Sequence, residues 1–411
     1  MRLRRLVALA VVTAACNDPS GPSGGVARIT ALPRALSAGE QAVVGASNTF
    51  GFNLLRELEK TRGDSNIFMS PLSASMALGM TMNGTAGQTF DEMRATLGFG
   101  TRPSSEINAA YRSLIDLLRG LDKTVDFRIA NSIWYRDGFP FETTFLDESR
   151  QFFDARVSPL NFNAASAPTT INDWVKQSTN GKIPTIIDGA IDRDAVMFLI
   201  NAIYFNGAWT TRFDKAKTRA DQFTTISGAT APIQMMNRKD TIAVAQTADG
   251  QIIDLPYGGG AFTMTILLPR PGKSIRDVIP TLTADSWAAA IAGVTNRSME
   301  LAMPKFSLEW EALLNDPLKA LGMQLAFTPG GADFTRMSST AGRQLYISKV
   351  KQKAFVDVHE EGTEAAAVTS VQIDLVSLPP GIRIDRPFLF AIRERLSGTI
   401  LFMGKIVRPP E

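Results

Sequence analysis

Apolar positions along this chain change their period partway through. Over residues 49–60, Phe50, Leu54, Leu55 and Leu58 fall on one helical face. Ser70-Pro71 reads as an N-cap followed by proline at the first helical position. From Leu72 to Asn83 almost every position is apolar or small, which predicts a helix buried all round and ended by Asn83-Gly84. Thr85 and Gln88 have capping-box spacing for a helix ending near Gly98, and an amphipathic helix follows over Ser105–Arg119. Then Val125, Phe127, Ile129, Ile133 and Tyr135 alternate as in a strand. Short helices at about Phe141–Ala155 and Thr170–Ser178 precede the apolar run Val196–Phe205, the mark of a strand covered on both faces. From Phe262 onward strands dominate, at Phe262–Leu268, Leu301–Trp310, Leu345–Val358, Pro387–Ile392 and Thr399–Val407. Helices early and strands late, without regular βαβ alternation, predict an α+β fold. No repeat and no linker follows residue 45, so residues 46–411 read as one domain.

The start of the chain breaks this pattern. Arg2, Arg4 and Arg5 precede an apolar run, Leu6–Ala15, too short to span a bilayer as a mature helix. Residues 1–15 therefore read as a signal peptide. The run ends at Cys16, the only cysteine of the 411 residues, and this junction resembles a bacterial lipobox. That resemblance implies Cys16 as a lipid attachment site and residues 16–45 as a flexible tether, with Asn17–Gly25 rich in Gly, Ser and Pro. The expected location is the bacterial cell envelope, lipid-anchored or secreted, with the membrane as a partner through the lipid. Losing three arginines takes the formal net charge from +3 to 0, so no electrostatic footprint for nucleic acid remains. With Cys16 modified no disulfide can form, and stability must come from a core that 45% hydrophobic content amply supplies.

Residues 359–381, HEEGTEAAAVTSVQIDLVSLPPG, carry the candidate chemistry. Thr363, Ala365, Ala367, Thr369, Val371, Ile373 and Leu375 form one period-2 row, and Glu364, Ser370, Gln372 and Asp374 dominate the other. That is a strand pattern with one buried face. Yet it opens with Gly362 and three successive alanines, which hold a strand weakly. A tight turn between two ordinary strands fits. So does a loop that is exposed at first and becomes a strand later, small residues letting it slide between neighbours. The pattern alone is compatible with both.

The run Glu360-Glu361-Gly362-Thr363-Glu364-Ala365-Ala366-Ala367 closely resembles the reactive-loop hinge of inhibitory serpins. Four further segments resemble serpin signatures in the family's order: Asn66–Ser73 (NIFMSPLS), Asn201–Trp209 (NAIYFNGAW), Met303–Phe306 (MPKF) and Arg386–Phe390 (RPFLF). Together they cover roughly residues 46–408. The resemblance implies three β-sheets, eight or nine helices and an exposed reactive-centre loop. It also implies a metastable state in which the cleaved loop inserts as an extra strand into the central sheet. The implied activity is suicide inhibition of a serine protease: the protease forms an acyl-enzyme on the loop, and insertion traps it covalently. Loop length places the reactive bond at Val376–Ser377. A mid-sized aliphatic donor there suits an elastase-like or subtilisin-like target rather than a trypsin-like one. Ser70, Ser73 and Asn201 match the family's shutter, with Gln352 where a histidine is usual, and Trp209 matches the tryptophan at the top of the sheet, the breach. A monomer without metal or cofactor is expected. Heparin is not an expected partner, because the helix over Ser105–Arg119 carries only Arg112 and Arg119.

Three alternatives have their own signals. A non-inhibitory serpin, a carrier or chaperone, would tend to bulky or charged hinge residues, and here they are small. A cysteine-protease target would use the same trap. A hydrolase would need His359, the only histidine, and there is no G-x-S-x-G motif after residue 45. Ser348-Lys349-Val350-Lys351 has S-x-x-K spacing, but in an alternating strand Ser348 and Lys351 point to opposite faces.

Overall fold

The structure, a computed structural model, describes residues 27–363 and 381–410. Ser37 and Glu40 form a capping box that starts α1, Ala38–Arg62, well before the helical face read at residue 49. The expected boundary at residues 45/46 therefore falls inside a helix. Upstream of α1, the Ile29 N–H donates to the Gly259 carbonyl and Arg395 donates to the Ile29 carbonyl, so the folded body reaches back to residue 29. The capping polar residues carry no apolar period, which is why the sequence pattern starts late.

Strand β1 (Ile67–Met69) leads into α2 (Pro71–Met82), capped by the Ser70 hydroxyl and buried at eleven of its twelve residues. Helices α3 (Gly87–Thr96) and α4 (Ser104–Gly120) follow. The Thr85–Gln88 capping box does not form: the Thr85 hydroxyl turns back to the Met82 carbonyl, and Ala86 is the N-cap of α3. Next come β2 (Val125–Arg136), α5 (Thr143–Phe153), β3 (Ala155–Leu160), α6 (Ala167–Ser178) and β4 (Met197–Ala208). Then β5 (Arg219–Thr224), β6 (Thr230–Gln246), β7 (Gly250–Tyr257) and β8 (Phe262–Pro269) run in succession. The sequence pattern missed β3 and β5–β7. Helices α7 (Ile275–Val278) and α8 (Ala284–Ala292) precede β9 (Thr295–Pro304), β10 (Phe306–Leu313) and α9 (Asn315–Ala320). The expected strand Leu301–Trp310 is thus two strands broken at Lys305, and they belong to different sheets. Strand β11 spans only Lys351–His359, so residues 345–350 add no strand and the parity argument on Ser348 does not apply. The chain ends through β12 (Gly362–Thr363), β13 (Gly381–Arg383), β14 (Phe388–Glu394) and β15 (Ile400–Ile406).

One sheet has the order β10-β11-β12-β4-β2-β3. The other runs β1-β15-β14-β8-β7-β6-β9-β13, with β5 also on β6. Strand β6 is 17 residues long and pairs with β5 over its first six residues, with β9 from Met235 to Val244 and with β7 over its last four. It joins two of the three expected sheets into one hydrogen-bonded surface. Strands β14 and β15 are buried at every position and form the core against α2. On the six-stranded sheet, α6 covers β2 and β4 through Ile171 and Val175 against Trp134 and Ile200. Nine α-helices lie among the described residues.

Candidate functional site

The site sits where β4 and β11 diverge. Strand β11 alternates strictly, with Gln352, Ala354, Val356 and Val358 inward. At its end the chain turns through Glu360-Glu361 and comes back as β12. Gly362 pairs with His359 on one side and Ala208 on the other, and Thr363 with Val358 and Gly207. The approach is too close for any side chain at 362: a Cβ would stand 2.2 Å from the Gly207 carbonyl oxygen. Among the described residues β4 and β11 share no ladder of their own, and β12 alone bridges them. Just below Thr363 lies a narrow cleft lined by Ile203, Phe205, Phe355 and Val356, with Thr179 and Lys182 over it.

Two polar clusters fasten this cleft. At its top, Trp209 donates its indole N–H to the His359 carbonyl (2.9 Å) and its backbone N–H to the Glu361 carbonyl (2.8 Å). The indole stacks on Tyr257 with centroids 4.4 Å apart, and the Tyr257 hydroxyl meets the Thr363 hydroxyl at 2.7 Å. Phe213 N–H donates to the Glu360 carbonyl at 2.8 Å. The Glu360 carboxylate accepts from the Thr218 hydroxyl (2.8 Å) and pairs with Lys305 (3.4 Å), and Glu361 pairs with Lys215 (2.6 Å). Burial opposes ionisation of Glu360. Its own backbone N–H, Thr218 and Lys305 outweigh that and hold its carboxyl below the ordinary value.

The second cluster is six residues further down each strand. Gln352 on β11 donates to the Ser70 carbonyl (3.0 Å) and accepts from the Ser70 N–H (3.2 Å). The Ser70 hydroxyl accepts from Ser73 N–H and donates to the Leu401 carbonyl at 2.6 Å. The Ser73 hydroxyl donates to Asn201 on β4, Asn201 to Asn131 on β2, and Asn131 to the Phe153 carbonyl. A continuous chain of side chains thus ties β11 to β4 and β2 through the N-terminus of α2.

Of the residues singled out from sequence, Ser70, Ser73, Asn201 and Gln352 meet in the lower cluster, and Trp209 meets Glu360, Glu361, Gly362 and Thr363 in the upper one. Glu364, Ala365, Ala366, Ala367, Val376, Ser377 and Cys16 lie outside the described residues. The sequence reading missed Asn131, Phe213, Lys215, Thr218, Tyr257 and Lys305. Lys305 had a signal, since it lies inside the Met303–Phe306 motif. The others depend on contacts across more than 100 residues, or on an Asn that looks like any inward strand position. His359 Nδ1 accepts from the Glu361 N–H at 3.3 Å, and Lys351 is ion-paired with Asp188 and Glu311.

A family model described as Serpin (serine protease inhibitor) matches residues 45–409. Antithrombin-III of Mus musculus is 33% identical over 376 residues, covering 89% of this chain and 81% of that protein. Among solved structures, the thermophilic serpin tengpin in its native state superposes with a TM-score of 0.82 at 30% identity, covering 92% of this chain and 97% of tengpin. A thyroxine-binding globulin in complex with thyroxine superposes with a TM-score of 0.81 at 29% identity, covering 90% and 99%.

Proposed function

The chain belongs to the serpin family, and on that premise we propose that it inhibits a serine protease by offering the loop after Thr363 as bait. The protease cuts at Val376–Ser377 and is held as an acyl-enzyme while the freed loop enters the sheet. The observation that carries this reading is β12. Two hinge residues already occupy the position between β11 and β4, and a cleft lies directly below them.

The register makes the proposal quantitative. Thr363 pairs with Val358 and Gly207, so a residue six further along the loop, Thr369, would lie opposite Gln352 and Asn201. The inserting row Thr363, Ala365, Ala367, Thr369 thus sends small residues past Phe205 and Val356, then Ile203 and Ala354, and a hydroxyl to the polar cluster. Separating Gln352 from Asn201 breaks the links through Ser70 and Ser73, and a Thr hydroxyl can donate to and accept from the groups set free. An aliphatic Val376 selects a shallow apolar pocket, so elastase-like or subtilisin-like proteases are the proposed targets. Heparin is not part of the proposal: Arg112 and Arg119 are ion-paired with Asp116 and Asp154.

We further propose that the protein acts as a monomer held at a bacterial envelope by a lipid on Cys16. Mixing it with elastase and with subtilisin tests the activity. An SDS-stable band at the summed mass is expected, and clean turnover of the loop without that band would exclude trapping. Cys16→Ser should release the protein from membranes.

A further inference from the structure

Arg238 lies on β6, in the other sheet, yet it reaches Thr211 and Phe213, beside the hinge. Its side chain is only 7% exposed, and the carboxylate beside it, Asp240, is 3.8 Å away. Burial pushes its pKa down to about 10, against the pull of Asp240. A guanidinium kept so far from water needs something in return. Nη1 donates to the Thr211 carbonyl, and the guanidinium lies 4.7 Å over the ring of Phe213.

Thr211 and Phe213 belong to a short segment, Trp209–Phe213, that leaves β4 without entering another helix or strand. That segment receives three consecutive hinge carbonyls: His359 at the Trp209 indole, Glu360 at the Phe213 N–H, and Glu361 at the Trp209 N–H. Trp209 forms a β-bridge to Tyr257 and the Thr210 N–H donates to the Pro256 carbonyl, but no ladder continues through Thr211 to Phe213. We propose that Arg238 is a positioning residue for the hinge, clamping Trp209–Phe213 from below so that its three donors meet the three carbonyls. The inference rests on the reading of residues 359–363 as the hinge of an inserting loop. It needs arginine specifically, because an extended guanidinium can lie over Phe213 and donate to Thr211 at once, which a compact ammonium cannot do together.

Hydrogen exchange on the full-length protein tests it without any protease. In Arg238→Met the amides of Trp209 and Phe213 should exchange about tenfold faster, the scale of one lost net hydrogen bond. The ladder amides of β6 and β9, where Met236 faces Met303 and Arg238 faces Leu301, should stay as they are. Arg238→Lys should recover part of the protection. Phe213→Leu, which keeps the charge and the burial, should loosen the same two amides to a lesser degree and stands in if the Met variant does not fold. Faster exchange confined to the β6–β9 ladder, or spread evenly over the molecule, would overturn the proposal. The elastase mixture separates the two readings: if the wild type forms no covalent complex while Arg238→Met still frees Trp209 and Phe213, positioning stands and trapping falls. If complexes form, Arg238→Met should raise the share of chain cleaved without trapping.

Discussion

The side-chain amide of Gln352 pairs with the backbone of Ser70 as one strand pairs with another, donating to its carbonyl at 3.0 Å and accepting from its N–H at 3.2 Å. Both groups belong to the residue that caps α2, so β11 is tied to the helix beneath the sheet and through it to β4. Replacing Gln352 with Leu removes both bonds: the Ser70 carbonyl keeps the Ala74 N–H, but the buried Ser70 N–H is left without a partner, at a cost of about 1–3 kcal/mol. A fall in the urea midpoint of the uncut protein is expected. Equal midpoints would mean that water or another side chain takes over both bonds.

Thr363→Val tests the upper cluster. The swap keeps the shape but leaves the Tyr257 hydroxyl, fully buried, without its 2.7 Å partner. A loss of about 1–3 kcal/mol is expected, with Thr363→Ser recovering most of it. Unfolding midpoints of the three proteins check this, and a serine variant as weak as the valine one would point to packing of the methyl group instead.

Glu360 gives the hinge a pH dependence of known sign. Its pKa is depressed in the folded state, so its stabilisation is fully present above its ordinary value near 4.5 and is lost as pH falls through the lowered one. Protection of the hinge amides should therefore hold at neutral pH and weaken in acid below about pH 4.5. Glu360→Gln should remove that acid step, and an unchanged acid profile in the variant would assign it to another group.

Nicking the loop should raise the unfolding temperature, because the cleaved strand can then fill the cleft below Thr363. Thr369→Arg should abolish the rise, since the register brings residue 369 between Gln352 and Asn201, where an unpaired charge is costly. A heat-resistant nicked Arg variant would mean that the loop follows a different register.

Val376→Arg should redirect trapping from elastase to trypsin, read as the appearance of a covalent band with the second enzyme. An unchanged preference would move the reactive bond, first to Leu375–Val376.

What the sequence determined by itself was local and periodic. The run of apolar and small residues Leu72–Asn83 needed burial on every side and became α2, and Ser70-Pro71 is its cap because only the first turn tolerates proline. The hinge and the lower cluster were legible because Gly362, Ser70, Ser73 and Asn201 sit in distinctive motifs. Other features needed the tertiary structure. The break at Lys305 shows in the sequence only as a shift of phase, from Leu301 and Met303 to Phe306, Leu308 and Trp310, which does not say that the two strands join different sheets. Strands β5 and β6 were hidden because polar edge positions such as Arg219, Gln222 and Gln234 dilute their alternation. Tyr257 and Arg238 acquire their roles from partners more than 20 residues away in the chain, at Thr363 and at Thr211 and Phe213. A side chain's periodicity records which face it presents. Which donor or charge it meets on that face is decided only when separate strands close together.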